Sequence, residues 1–134
     1  MSGGGSSASF RLSVPAEAGH ITTVRAFAGA VARWFGLDED VIEDVKLAVS
    51  EACAGPIHGG VRGHIELAVH DDDGALRYEV RSAPWNEREQ LPIDGALIDP
   101  PALVRVLFDD AERTDDAASA VTAFSTVSRT AGGR

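Results

Sequence analysis

From Glu17 to Cys53 apolar residues recur every third or fourth position, and from Ile65 to Val80 they recur every second. That switch of period constrains the fold most, because a 3.6-residue stripe buries one side of a helix and an alternation buries one face of a strand. The first stripe is Ile21, Val24, Ala28, Val31 and Phe35, widened by Phe27 and Trp34, and it predicts a helix over 17–35. Gly36 stands where a helix expects its C′ residue. Asp38 suits the N-cap of a second helix over 38–54, with Glu39 and Asp40 at the positive end of its dipole. Val41, Val45, Ala48, Val49, Ala52 and Cys53 form its buried face. Gly55-Pro56 is expected to end it, since proline lacks the N–H donor and clashes with the preceding turn.

Phe10–Val14 alternates as a half-buried strand stopped by Pro15. Ile65, Leu67 and Val69 then pair in prospect with Leu76, Tyr78 and Val80 across an Asp73-Gly74 hairpin turn. The acidic turn lacks the downstream glutamate and alternating spacing of a calcium loop, so it reads as solvated. Residues 83–100, with Pro84, Pro92, Gly95 and Pro100, read as a long loop. A short helix is expected over 101–111, a turn at Asp115–Asp116, and a last strand over 118–128. This order does not alternate as a doubly wound parallel sheet would. It fits a two-layer α+β sandwich, two helices on one face of a mainly antiparallel sheet. One domain over 9–130 is expected, between a flexible Gly/Ser-rich tail at 1–8 and a short tail at 131–134.

Twenty-one acidic against twelve basic residues leave the 134-residue chain a net charge of −9. That disfavours a nucleic-acid partner, whose affinity rests on clustered Lys and Arg, and favours a neutral or basic protein. The single cysteine, Cys53, excludes an intramolecular disulfide and reads as a small buried thiol. No signal peptide and no apolar run of membrane-spanning length is present, so a cytoplasmic location is expected. Arg25 and Arg33 read as a solvated helix face. His20, His58, His64 and His70 have no carboxylate at matching spacing and read as surface residues, with no metal site.

No serine elbow, Walker loop or Cys/His nucleophile pair occurs. What remains is Glu51, in the run Leu47-Ala48-Val49-Ser50-Glu51-Ala52, LAVSEA. From Phe10 to about Arg129 the layout resembles the anti-sigma regulatory kinases of the Bergerat-type (GHKL) ATPase superfamily. The resemblance implies a histidine-kinase-like ATPase fold, ATP and magnesium as cofactors, and a sigma factor or its antagonist as partner. It also implies a homodimer built through the first strand and first helix. In that family the run continues as Glu-x-x-x-Asn: the glutamate orients or deprotonates the attacking hydroxyl and the asparagine holds magnesium. Positions four apart share one helix face, so both side chains reach one pocket.

Glu51 matches the glutamate, whereas Gly55 falls at the asparagine and has no side chain to offer an ion. The family's Asp-x-Gly motif, whose aspartate accepts the adenine amino group, aligns with Ser82 and Pro84. Pro100 and Pro101 occupy the end of the expected phosphate loop and supply no N–H donors. Together these departures imply a degenerate pocket on a kept scaffold, with Glu51 vestigial and no cofactor expected. The expected function is an anti-sigma-like regulatory protein that binds a sigma factor or its antagonist without phosphorylating it. The alternative is an active ATP-dependent serine/threonine kinase acting on an anti-sigma-factor antagonist. A third reading is an interaction domain of the same fold outside transcription.

Overall fold

The computed structural model describes residues 9–58, 63–73, 75–84, 102–115 and 119–128. The two tails, the turn glycine at 74, residues 85–100 and the Pro100–Pro101 pair lie outside the described residues. Strand β1 (Ser9–Pro15) leads through a 3-10 turn (Ala18–His20) into helix α1 (Ile21–Trp34), followed by helix α2 (Glu39–His58). Strands β2 (Gly63–Asp72) and β3 (Ala75–Pro84) form the expected hairpin, with Asp73 turning at φ 58°. Helix α3 (Ala102–Leu107), strand β4 (Glu112–Asp115), strand β5 (Ala120–Ser125) and a 3-10 turn (Thr126–Ser128) complete the chain.

The five strands lie in the order β1-β2-β3-β5-β4, and all four pairings are antiparallel. Leu12 sits opposite Leu67, Val69 opposite Tyr78, and Tyr78 opposite Phe124. One face carries Val14, Ile65, Leu67, Val69, Leu76, Tyr78, Val80 and Phe124, all buried. The helices cover this face alone, as expected for a two-layer α+β sandwich. Tyr78 crosses between the layers, its hydroxyl donating to the Ala28 carbonyl of α1 at 3.0 Å. Its ring stacks on Phe124 at 5.3 Å, and Phe124 on Phe108 at 4.4 Å. Side chains of this size each contribute ~1.5–3 kcal/mol on full burial.

The opposite sheet face is laced with charge around the buried Ala68 and Ala123. Arg11 meets Glu66 at 3.4 Å, His70 meets Glu79 at 3.5 Å, and Arg77 meets Glu112 at 3.1 Å. Here β3 alternates Arg77, Glu79 and Arg81 against the buried Leu76, Tyr78 and Val80.

The turn after α1 follows from Gly36, which adopts φ 77°. Its N–H bonds to the Arg33 carbonyl at 3.0 Å and the Leu37 N–H to the Ala32 carbonyl at 3.1 Å, the paired closure of a Schellman motif. Arg33 is held at the helix end by both Glu39 carboxylate oxygens, at 3.0 and 3.1 Å.

Three expectations need correction. Helix α2 does not stop at 54 but runs through Pro56 to His58. Pro56 forfeits one helical donor, and Gly55 lacks the Cβ that would crowd the proline ring. Ile57, packed against the core, holds the last turn down. Second, Ala83 and Pro84 complete β3 rather than begin a loop. Third, the segment expected to hold the tail of a helix and a turn contains the short edge strand β4, and α3 ends at Leu107. Beyond it Phe108 is buried in the aromatic stack, and the strand carries Glu112 and Thr114 to solvent.

Candidate functional site

Helix α2 presents Ile42, Val45, Val49, Ala52 and Cys53 to the core. Glu51 and Gly55 lie one turn apart on another side of the same helix, so the spacing read from sequence is realised. Glu51 is half-buried and has no hydrogen-bond or ion-pair partner among the described residues. Gly55 is exposed, and a Cβ built on it would meet nothing within 4 Å. The neighbouring Ser50 hydroxyl donates back to the Lys46 carbonyl at 2.9 Å and so is tied to the helix.

Ser82 lies near the end of β3, the strand against which α2 packs. In the ladder it sits between Ile65 of β2 and Ala120 of β5, which fixes its backbone on both sides. By alternation with Val80 and Tyr78 its side chain faces the helix-covered side. It is only 1% exposed, and its Oγ has no hydrogen-bond partner among the described residues. Buried hydroxyls are ordinarily partnered, so this atom is an exception. Pro84 is the last residue of β3, opposite Gly63.

The fold therefore brings the helix bearing Glu51 and Gly55 against the strand bearing Ser82, and no hydrogen bond joins these side chains. Glu51 offers one carboxylate, Gly55 offers no oxygen beyond its backbone, and no group of three or more His, Cys, Asp or Glu among the described residues is placed to hold a metal ion. Ser82 offers a neutral hydroxyl sealed from solvent. No helix among the described residues is long and apolar enough to cross a membrane.

Cys53 is fully buried, and burial pushes its thiol up to about 12. A thiol held protonated is a poor nucleophile, which leaves Cys53 a packing residue. It packs beside Val14, Val24, Ile57 and Ile65 in a shallow surface crevice rimmed by Glu17 and His20. Sequence reasoning missed the clustering of Arg77 with Glu79, Asp110 and Glu112 on the open sheet face. The signal was present in the alternation of charged residues along β3. It identifies the wet face of the strand without saying which partners lie across it.

The structure is similar to that of the RsbU and RsbW domains of Rv1364c from Mycobacterium tuberculosis, with a TM-score of 0.68. The match has 19% identity over 88% of this chain and spans 32% of that chain's length, so the likeness is one of fold. Comparison with curated proteins found no match. The model of the histidine kinase-like ATPase domain matches residues 14–123, from the end of β1 into β5. The chain belongs to the histidine kinase-like ATPase domain family.

Proposed function

We propose that this chain is an anti-sigma-type regulatory protein that acts by binding a sigma factor or its antagonist, with a nucleotide pocket that has lost ATP binding and phosphotransfer. The single observation that carries the reading is Gly55, which leaves Glu51 alone on its helix face. The fold shared with a chain containing an RsbW domain supports the choice of partner class, as does the resemblance of LAVSEA to the anti-sigma kinases. The net charge of −9 suits a partner with basic regions, because complementary potential speeds encounter. The working unit is a homodimer formed through β1 and α1, in the cytoplasm.

Two measurements test this. Calorimetric titration with ATP and magnesium should show no saturable binding tighter than ~0.1 mM. That follows from losing two contacts of roughly 1.4 kcal/mol or more, each about tenfold, from a micromolar parent design. Incubation with ATP, magnesium and the host's candidate sigma antagonists should transfer no phosphate, while the purified partner still binds. Low-micromolar ATP affinity or labelled antagonist would give first place to the kinase reading, with Glu51 as its base.

A further inference from the structure

The geometry points to a second chemical site, on the sheet face opposite the helices, where Ser9 is a nucleophile that takes an acyl group from small activated esters. The site stands apart from the α2–β3 region and does not depend on the degenerate-pocket reading.

Strand pairing builds it. Ser9 of β1 lies directly opposite His70 of β2, and His70 directly opposite Arg77 of β3. Residues opposite one another in a ladder share a face, so side chains from three strands form one row. The Ser9 Oγ is 2.9 Å from His70 Nδ1. On the far side of the ring, Nε2 lies 3.5 Å from a Glu79 carboxylate oxygen. A hydroxyl touching a base that a third group orients is the arrangement that activates serine.

Each member has the state this chemistry needs. A neutral imidazole carries one N–H, and the negative charge of Glu79 favours it on Nε2. Nδ1 is then left to accept the Ser9 proton. Glu79 is itself held in place, since Arg77 Nε approaches its other oxygen at 3.6 Å. Arg77 is tied in turn to Glu112 at 3.1 Å. Ser9 is exposed, so an acyl donor can reach it, whereas His70 and Glu79 are partly buried. The next row along the face places the small Ala68 between Arg11 and Glu79. Arg11, paired with Glu66 at 3.4 Å, brings a positive charge to the face on which the carbonyl oxygen turns anionic. A sheet surface of this kind suits a small acyl group with a leaving group that departs readily.

In the step itself, Ser9 Oγ attacks the ester carbonyl carbon as its proton passes to His70 Nδ1. The tetrahedral intermediate collapses with cleavage of the bond from that carbon to the leaving oxygen, which takes the proton back from the imidazole. Ser9 is left as an ester, and nothing is oxidised or reduced.

The probe is p-nitrophenyl acetate, with acetylation of the folded chain followed over time by peptide mass spectrometry. Ser13 is the internal reference: it is exposed on the same face of the same strand but lies opposite Glu66 instead of a histidine. Ser9 should be acetylated at least ~100-fold faster than Ser13, the lower end of what a positioned base contributes. The difference should vanish in urea, which separates the strands. His70→Asn should bring the Ser9 rate to within ~10-fold of the Ser13 rate. Glu79→Ala should slow Ser9, and Glu79→Gln, whose amide oxygen still accepts from Nε2–H, should recover part of the loss, as a positioning residue requires. Equal acetylation of Ser9 and Ser13 in the unaltered chain overturns the inference without any variant having to fold. A Ser9 rate that survives folded His70→Asn, or that persists in urea, overturns it as well.

Discussion

Cys53 shows how far a single residue can be read from its neighbours. Its place between Val49, Ala52 and Ile57 implies burial, and the thiol is indeed sealed, with its titration raised from 9.0 to about 12. The folded chain keeps this proton at a pH where the unfolded chain releases it. The stability contributed by the neutral thiol is therefore complete below about pH 9 and is lost as pH rises toward 12, with a slope of up to ~1.4 kcal/mol per pH unit. Burial raises Tyr78 as well, so it adds to the same alkaline loss. Urea unfolding followed from pH ~8 to ~11 should show a shallower decline for Cys53→Ala than for the parent chain. Parallel curves would rule out the thiol as a contributor. Ser82 was less legible. Its residue type and alignment were readable, but it stood just ahead of the loop expected over 83–100, and nothing in the sequence foretold that its hydroxyl would be sealed.

At the scale of elements, helix ends divide into one that local chemistry decides and one that packing decides. Gly36 closes α1 because its φ of 77° favours glycine over a residue such as alanine, and Gly36→Ala should lower stability by ~1–2 kcal/mol. Thermal denaturation checks this; an unchanged midpoint would show that the turn can relax. At Pro56 local chemistry is overruled. The ring removes a donor to the Ala52 carbonyl, yet the helix continues because Ile57 packs against the core. Pro56→Ala should therefore stabilise the chain by up to ~3 kcal/mol, seen as a higher urea midpoint at constant slope. A lower midpoint would mean that proline is stabilising the terminal turn. Strand β4 was illegible for a different reason. Glu112, Arg113, Thr114 and Asp115 show no apolar alternation, and a strand bonded among the described residues to β5 alone needs none.

For the molecule as a whole, the change from helical to alternating period was enough to place two helices on one face of an antiparallel sheet. Hydrophobic burial is a property of pattern, and pattern is local. The bond that ties the layers together was not readable, since it joins residues 50 apart: the Tyr78 hydroxyl and the Ala28 carbonyl. Tyr78→Phe should cost ~1–3 kcal/mol, because the buried carbonyl loses its cross-layer donor while the ring stack stays intact. Equilibrium unfolding of this variant tests the claim, and stability equal to the parent would show that the layers are joined by packing alone.

The strand order also carries a timetable. The β2–β3 hairpin and the α1–α2 pair each join neighbours in the chain, so their closure involves short loops and little lost chain entropy. Strand β1 faces the opposite case: Ser9 must find His70 across the whole length of both helices. Although it precedes the other strands in the chain, β1 has no partner until β2 has been made. Of the four strand pairings this one spans the most chain, so loop closure costs it most and the edge strand is expected to join after the hairpin has closed.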